Sequence, residues 1–501
     1  MRLHRPVKKV LLVSPHKVSY RGYKEDLTPV LGLAYIAAVL EQQGFEVKIL
    51  DIAAEDFYHV EELGDDIIRI GIGYDEIEKR IRSFAPDTLG VSCLISNQSE
   101  EMVRLCELTK RIDRNIITIV GGEHPSALPE ETLSNECIDF VVIGEGEYTT
   151  RDLLNHIANG TDYSSLDGFA YRDDGRIAVN PKTLFIENLD ELPLPARHLL
   201  PMETYFRINL PQTGTSWRSP NTSIMTSRGC SARCIFCATS KFWGNRHRVR
   251  SIDKVLDEME ILVKKYGVRE LQFIDDNLTL EKDRAMEIFQ GMINRKLNLV
   301  WNTPQGIALW SIDEEVLKKM KESGCYEITF AVESGDDRVL KEIIRKPVRL
   351  ETIEPLVKIA RNLGFITKGY FVVGFPGETL QNMEKTFAFA KALSFDAAGI
   401  FIATPLPGTE LYRLCNEKGY LKKDFSFLRA TYARGNIDTP DFTSDQVEKL
   451  VSRNILEINL GLFIRSPGKF LKKYTSILTG NPCMLVNHIL FLIRGLWRKK
   501  R

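Results

Sequence analysis

Residues 228–240 read RGCSARCIFCATS and place three cysteines, Cys230, Cys234 and Cys237, within a single short segment. A structural zinc site takes four protein ligands, whereas a catalytic zinc can take three and leave one position for water. A 4Fe–4S cluster has four irons that each need a ligand, so three thiolates would leave one iron open to a small molecule. The spacing C-x3-C-x2-C therefore predicts a metal site with one free coordination position.

The composition is that of a globular protein without a strong charge preference. The 501 residues are enough for about two to four domains, and 44% of them are hydrophobic. Lys plus Arg and Asp plus Glu both number 67, so no global field favours nucleic acid as a partner. The nine cysteines do not predict a disulfide scaffold, and the N-terminus has too short an apolar run for a signal peptide. We therefore expect a cytoplasmic protein with free thiolates.

Residues 1–160 alternate short apolar strands with helical segments, which predicts one α/β domain. The predicted strands lie at 8–14, 45–50, 87–94, 115–120 and 138–144. Five strands that alternate with helices are typical of a Rossmann-like or flavodoxin-like domain. No GxGxxG follows the first strand, so a dinucleotide site is not expected.

Two strand exits of this domain carry glycines next to carboxylates. They read VGGEHPS at 120–126 and IGEGE at 143–147. Ligands of such sheets bind beyond the carboxyl ends of the strands, where glycine lets the backbone approach a flat or phosphorylated ligand closely. On spacing alone, the same glycines could simply form tight turns between a strand and a helix.

Residues 222–430 predict six β/α units in succession. The predicted strands lie at 222–227, 270–275, 299–304, 326–332, 367–374 and 397–403. The cysteine loop follows the first of these strands, and polar residues follow several others. Because barrel sites lie at the carboxyl ends of the strands, we expect these polar residues to surround the cysteine loop.

The cysteine spacing, with Phe236 directly before the last cysteine, resembles the radical S-adenosylmethionine (SAM) superfamily. The resemblance implies a partial (β/α)6 barrel in which Cys230, Cys234 and Cys237 hold a 4Fe–4S cluster. It also implies that SAM chelates the open iron and that its reductive cleavage releases a 5′-deoxyadenosyl radical. Phe236 is then expected next to the cofactors.

The same resemblance assigns residues at three strand exits to SAM. Asp275 and Asp276, in FIDDN, are implied to contact its methionyl amino group, although Asp275 could instead cap the following turn. Glu333 and Ser334, in AVESG, look like the ribose and amino-acid contacts of the family. Gly374, in VVGFPGE, would let the backbone approach the adenine. Carboxylates that face a sulfonium with an α-ammonium group also make electrostatic sense.

A Rossmann-like domain ahead of such a barrel resembles the cobalamin-binding subclass of the superfamily, and the resemblance covers about residues 8 to 430. The Asp-x-His-x-x-Gly motif that supplies a cobalt-ligating histidine in some cobalamin domains is absent, and the corresponding loop reads SCLISNQSE. Cobalamin is therefore implied to bind without a protein imidazole, with its lower face toward residues 94–97. The implied cobalamin contacts are Leu94, Ser96, Gly121, Gly122, Glu123, His124, Gly144, Glu145 and Gly146.

Two histidines keep an alternative open on the cobalamin side. His124 and His16 could approach the corrin ring, but a histidine whose polar atoms are satisfied within a turn is the favoured interpretation of both.

The resemblance implies a methyltransferase that acts on an unactivated carbon through a 5′-deoxyadenosyl radical and methylcobalamin. A small-molecule or lipid substrate is expected, with a reducing partner such as flavodoxin or ferredoxin. An enzyme that shares both cofactors but performs a cyclisation, similar to the anaerobic porphyrin-ring cyclase, is the alternative. A non-catalytic cobalamin sensor or iron–sulfur carrier fits less well, because a carrier has no need for an open iron.

The remaining segments are less informative. Residues 161–221 are rich in proline and charge and predict a short hairpin and an extended linker. Residues 431–501 predict a helical C-terminal region. Its end, 482–501, is basic and amphipathic and could lie peripherally on an anionic membrane, which would favour a lipid substrate, or could pack on the barrel.

Overall fold

The computed structural model describes residues 4–21, 25–212 and 216–465 of the chain. They form an N-terminal α/β domain, a six-stranded partial barrel and a C-terminal helix, Ser444–Arg465, as predicted. The basic end at 482–501 lies outside the described residues, and so does its predicted membrane contact. In the described part of the chain, no helix combines the length and apolar character that a membrane crossing requires.

The N-terminal domain is built on a seven-stranded sheet. In spatial order its strands are Glu46–Asp51, Lys9–Ser14, Thr88–Ser92, Ile117–Gly121, Phe140–Val142, Phe169–Asp173 and Arg176–Asn180. The first five strands are parallel, and the last two add an antiparallel hairpin. The hairpin comes from the predicted linker at 161–221. Its Phe169 and Ala170 are fully buried, so this part of the linker belongs to the N-terminal domain.

Helices cover both faces of the sheet, as in other doubly wound folds. They are Leu31–Gln42, Ile52–Glu55, Tyr74–Phe84, Ser99–Ile112, Glu123–Ala127, Pro129–Leu133 and Glu147–Asn159. A small antiparallel sheet, which the sequence analysis missed, consists of Lys17–Tyr20, Ile67–Ile70 and Val60–Gly64.

The barrel sheet has six parallel strands that follow one another in sequence order. They are Asn221–Ile224, Glu270–Phe273, Val300–Asn302, Cys325–Glu333, Ile366–Val373 and Ala397–Ile402. The helices after them are Ile252–Tyr266, Lys282–Asn294, Glu314–Glu322, Leu350–Asn362, Leu380–Ala392 and Glu410–Lys418. The first and last strands are sheet edges, so the barrel is open, which confirms the predicted partial (β/α)6 architecture.

Alternation along each strand separates an apolar outer face from an inner face that lines the barrel lumen. In Ile366–Val373, Phe371 and Val373 are fully buried beneath the helices, whereas Lys368 and Tyr370 point the opposite way and remain partly exposed. The six strands thus place their carboxyl ends, and the loops that follow them, around one mouth.

Candidate active site

The cysteine loop is anchored at its base by a two-stranded ladder. Ser227–Arg228 pairs antiparallel with Arg248–Val249 and closes the loop 229–247. Gly229 opens the loop at φ +84°, and a Cβ there would lie 2.3 Å from Arg246 O. Only glycine therefore fits the position directly before Cys230.

Polar groups surround the three thiols. Asn277 Nδ2 donates a hydrogen bond to Cys230 Sγ at 3.6 Å. Burial raises the pKa of Cys234 to about 12, and the Lys346 ammonium opposes that shift. Burial also raises the pKa of Cys237, against hydrogen bonds with Thr239. The thiols would thus release protons on metal binding, because the thiolate is the metal ligand.

The donor set of this loop fits an iron–sulfur cluster. Among the residues that the structure describes, no three His, Cys, Asp or Glu side chains converge closely enough to hold a metal ion. The three sulfurs nevertheless share one loop, and a buried lysine and an amide donor face them. Cation and hydrogen-bond donors next to cysteine sulfur suit the negative charge that thiolates bring to a cluster.

The two aspartates after the second barrel strand hold this loop in place. Asp275 Oδ1 accepts hydrogen bonds from Thr226 N at 3.0 Å and from Ser227 Oγ at 2.5 Å. Asp276 accepts from Gly229 N at 3.0 Å through Oδ2 and from the Thr239 hydroxyl at 3.0 Å through Oδ1. Asp275 Oδ2 is buried and has no hydrogen-bond partner within the described ranges. Of the two carboxylates, Asp275 therefore keeps an oxygen for the predicted contact with SAM.

Glu333 ends the fourth strand in a strained conformation. It follows a register shift in the sheet and has φ +71°, which costs a residue other than glycine about 1–3 kcal/mol. Its carboxylate accepts a hydrogen bond from Lys346 Nζ at 2.7 Å, and both side chains are largely buried. The Lys346 ammonium also acts on Cys234 and Cys237, so Glu333 and the cysteine loop share one cation. No motif in the sequence singled out Lys346.

Ser334 turns away from this group. Its hydroxyl lies 3.1 Å from Thr386 Oγ1 in the helix Leu380–Ala392 and accepts a hydrogen bond from Asp336 N. The serine thus ties the strand exit to a barrel helix, and its predicted contact with SAM stays a prediction.

Gly374 and Phe375 lie at the fifth strand exit, where Phe236 of the cysteine loop packs. Gly374 has φ +92°, and its N–H donates to Glu378 Oε2 at 2.8 Å, as does that of Phe375 at 2.7 Å. Burial raises the pKa of Glu378 to about 8 in spite of these hydrogen bonds. The ring centroids of Phe236 and Phe375 are 5.6 Å apart, so the cysteine loop packs against the predicted adenine turn.

On the other side of the mouth, the strand exits of the N-terminal domain form an apolar edge. Leu94 and Ile95 are 48% and 57% exposed, and Ser96 behind them is buried. Gly122 has φ +105°, and a Cβ there would lie 2.4 Å from Cys93 O, so two neighbouring strand exits touch. An exposed apolar pair at this edge suits the flat face of a corrin ring, and the contact of Leu94 with cobalamin stays a prediction.

The two candidate histidines differ in their surroundings. His124 is 5% exposed, and its Nδ1 has no hydrogen-bond partner among the described residues. Burial lowers the pKa of His124 to about 4, so its imidazole is neutral at pH 7. His16 Nε2 lies 2.8 Å from Ile72 O, and its Nδ1 lies 2.8 Å from Glu101 Oε2. His16 is therefore committed to the interior of its own domain, whereas His124 retains a free nitrogen.

We predict that cobalamin nevertheless binds without an imidazole on cobalt. The electron paramagnetic resonance spectrum of the cob(II)alamin form should lack nitrogen superhyperfine splitting from the protein. His124→Ala should leave that spectrum unchanged, because the ring packs edge-on against Phe427 at 5.3 Å and serves the domain contact. A splitting that disappears in His124→Ala would contradict this prediction, and His16→Ala provides the matched control.

The glycine-rich exit at 143–147 faces the barrel. Gly144 N donates to Ser126 Oγ at 2.9 Å, which links this exit to the neighbouring one. A Cβ on Gly146 would lie 3.2 Å from Ile36 Cδ1. The carboxylate of Glu145 is fully engaged by barrel arginines and by Ile186 N, so it does not point freely toward a corrin.

Glu123 joins the two halves of the site. Burial and the neighbouring Asp276 carboxylate raise the pKa of Glu123 to about 7. Burial, then Glu123 and Cys237, raise the pKa of Tyr432 to about 12. Tyr432 keeps 57% of its surface accessible. The loops of both domains therefore meet around Tyr432.

Comparisons with known proteins agree with this division of the chain. The B12 binding domain model matches residues 23–154, and the Radical SAM superfamily model matches residues 224–390. The cobalamin-dependent SAM radical enzyme OxsB, solved with aqua-cobalamin and SAM, superposes with a TM-score of 0.69 at 18% identity. The match covers 97% of this chain and 72% of that one. Fold and site thus define a cobalamin-dependent radical SAM enzyme.

Proteins of similar sequence narrow this class of radical SAM enzymes further. The chain is 37% identical over 479 residues to cytidylyl-2-hydroxyethylphosphonate methyltransferase of Streptomyces wedmorensis. The alignment covers 90% of this chain and 89% of that protein. It is 26% identical over 416 residues to the anaerobic magnesium-protoporphyrin IX monomethyl ester cyclase of Rubrivivax gelatinosus. That alignment covers 82% of this chain and 70% of the cyclase. The chain belongs to the family of cobalamin-dependent radical SAM methyltransferases.

The family match confirms the predicted enzyme class and the three cofactors, cobalamin, SAM and a 4Fe–4S cluster. The roles of individual residues stay predictions. Four residues of the site were not predicted from the sequence, because each acts through a partner that is distant in the chain: Lys346, Tyr432, Arg228 and Arg248.

Proposed function

We propose that the protein replaces a hydrogen on an unactivated carbon of a small polar molecule with a methyl group. The observation that carries this proposal is that Glu123 of the N-terminal domain and Cys237 of the cysteine loop both act on Tyr432, close to where His124 packs on Phe427. A substrate held there would lie within reach of both cofactors. When bound, the cluster and SAM supply hydrogen-atom abstraction, and cobalamin supplies the methyl group.

The chain's own residues would bind and shield the reacting groups. Cys230, Cys234 and Cys237 would hold the cluster, while Lys346 holds Glu333 beside them for SAM. The segment around Phe427 would cover the junction of the two domains and keep water out, because its ring packs on His124 of the other domain.

Each turnover would consume two molecules of SAM. One would yield methionine and 5′-deoxyadenosine, which carries away the substrate hydrogen, and the other would yield S-adenosylhomocysteine and the transferred methyl group. Two electrons would balance this reaction, and a flavodoxin or ferredoxin is the class of partner that supplies them. Such a partner, and cysteines that must stay reduced, belong in the cytoplasm.

A polar barrel lumen supports a polar substrate. Ser223, Gln272 and Asn302 are register partners on three adjacent strands and share the inner face. Ser223 Oγ and Asn302 Oδ1 are buried without hydrogen-bond partners in the described part of the structure. Deeper in the lumen, Lys368 Nζ and Glu327 Oε1 are 2.7 Å apart. Unpaired buried polar atoms are costly, so this lumen favours a ligand with hydrogen-bonding groups.

Two alternatives differ in substrate or outcome. A lipid substrate was suggested by the basic segment 482–501, and no contact of the described residues adds to that suggestion. A cyclisation without methyl transfer is favoured by the similarity to anaerobic magnesium-protoporphyrin IX monomethyl ester cyclases such as that of Rubrivivax gelatinosus. Both are outcomes of the following test.

The test offers two probes to the reconstituted enzyme with a chemical reductant and SAM that carries a CD3 group. With cytidylyl-2-hydroxyethylphosphonate, the polar compound in the name of the Streptomyces relative, we expect a product that gains CD3 and 5′-deoxyadenosine that forms in proportion. With a bacterial lipid extract in detergent, we expect neither. CD3 incorporation into lipid would contradict the polar substrate, and a product that loses hydrogen without gaining CD3 would contradict methyl transfer.

A further inference from the structure

Two glutamates of the cobalamin-binding domain and two arginines of the barrel form one buried ion network. Glu145 Oε1 accepts hydrogen bonds from Arg228 Nη1 at 2.8 Å and from Arg248 Nη1 at 2.9 Å. Glu147 Oε1 accepts from Arg228 Nη2 at 2.6 Å. Each of the four residues is at most 5% exposed. Two positive and two negative charges balance inside the interface between the domains.

The arginines sit at the base of the cysteine loop. Arg228 and Arg248 face each other in the ladder that closes residues 229–247. Arg248 Nη2 also donates to Trp243 O within the loop at 2.7 Å, and the Arg228 guanidinium lies 4.7 Å from the Trp243 ring centroid. A shift of either arginine would therefore move the loop that carries the cysteines.

The glutamates sit on the side of the other cofactor. Glu145 follows the strand Phe140–Val142 at the edge where cobalamin binds in the family fold, and Glu147 begins the next helix. Gly144, next to Glu145, has φ +72°, and a Cβ there would lie 3.3 Å from Phe242 O of the cysteine loop. Because the two loops are in contact here, a displacement on one side reaches the other.

We propose that Glu145, Glu147, Arg228 and Arg248 are positioning residues that couple the cobalamin site to the cluster and SAM site. A buried ion network adds little net stability compared with apolar packing, but it can fix one arrangement of the elements that it joins. Here it fixes the cysteine loop against the cobalamin edge. By linkage, a bound cluster with SAM then raises the affinity for cobalamin, and cobalamin raises the affinity for the cluster with SAM by the same factor. The proposal depends on the two cofactors and not on the substrate.

The test measures the dissociation constant of hydroxocobalamin for the full chain, cluster-free and after reconstitution with SAM, by isothermal titration calorimetry without oxygen. For the wild type we expect the two constants to differ by about fivefold or more. In Glu145→Gln the ratio should fall to about one, because a neutral amide cannot hold both guanidinium groups. In Arg228→Lys it should be intermediate, because a single ammonium cannot bridge both glutamates as the planar guanidinium does.

Glu270→Gln is the matched control. Glu270 is fully buried and accepts a hydrogen bond from the Tyr326 hydroxyl at 2.8 Å, but it begins the second barrel strand, at the opposite end from the strand exits that surround the cysteine loop. Its loss should lower the thermal midpoint while the ratio stays at the wild-type value. A wild-type ratio of about one, or an unchanged ratio in both Glu145→Gln and Arg228→Lys, overturns the proposal. The iron content of every sample is measured, so that incomplete cluster assembly is not mistaken for a loss of coupling between the two sites.

Discussion

The variant in which Cys230, Cys234 and Cys237 are all replaced by alanine is expected to take up essentially no iron on anaerobic reconstitution. The wild type should bind about four irons per chain, as one 4Fe–4S cluster requires. Without thiolates the loop 229–247 offers no soft ligand to iron. Elemental analysis and the visible absorption of the cluster measure this loss, and SAM cleavage to 5′-deoxyadenosine should disappear with it.

A single replacement elsewhere separates cluster ligation from the general loss of a thiol. Cys137 is also free and of intermediate exposure, but it lies in the N-terminal domain. Cys137→Ala should retain the full iron content and SAM cleavage. Stoichiometric zinc in the wild type with activity retained, or a cluster in the triple variant, would contradict the assignment of the three cysteines.

The regular elements could be predicted because their signals are local. The parallel strands appear in the sequence as short apolar runs because helices cover them. Helices lie on both faces of the N-terminal sheet and on the outer face of the barrel sheet. The missed antiparallel sheet has a different character. Its strand Val60–Gly64, with the sequence VEELG, is polar and mostly exposed, so no apolar pattern marks it. Only its pairing with Ile67–Ile70 makes it a strand.

Side-chain roles were harder to predict than positions, because partners far apart in sequence decide them. Glu145 was placed correctly at a strand exit, but its carboxylate is used by Arg228, 83 residues away. Asp275 and Asp276 were expected to bind SAM and are in large part anchors of the cysteine loop. Lys346 became visible as a site residue only because the fold brings it to Glu333. The cysteine motif therefore located the site in the sequence. The structure shows which of the nearby polar residues hold the cysteine loop in place and which keep an unpaired polar atom.

Gly122→Val is expected to abolish cobalamin binding while the barrel still assembles its cluster. Gly122 has φ +105°, a conformation that side chains with a Cβ rarely adopt, and its Cβ would lie 2.4 Å from the backbone oxygen of Cys93. The substitution must push apart the two strand exits that form the cobalamin edge. Such strain costs more than about 2 kcal/mol, and displacement of the loop 93–97 would remove the surface on which the corrin is predicted to lie. Cobalamin per chain after reconstitution measures the loss.

Gly121 supplies the matched comparison, because it is the neighbouring residue in the same turn but has room for a methyl group. A Cβ there would meet Val142 O at 3.4 Å, an ordinary contact, and its φ lies outside the left-handed region. Gly121→Ala should therefore bind cobalamin within about twofold of the wild type, a difference of roughly 0.4 kcal/mol. Full cobalamin loading of Gly122→Val would show that the strand exits can separate without cost. It would also remove the argument that their close contact shapes the cobalamin edge.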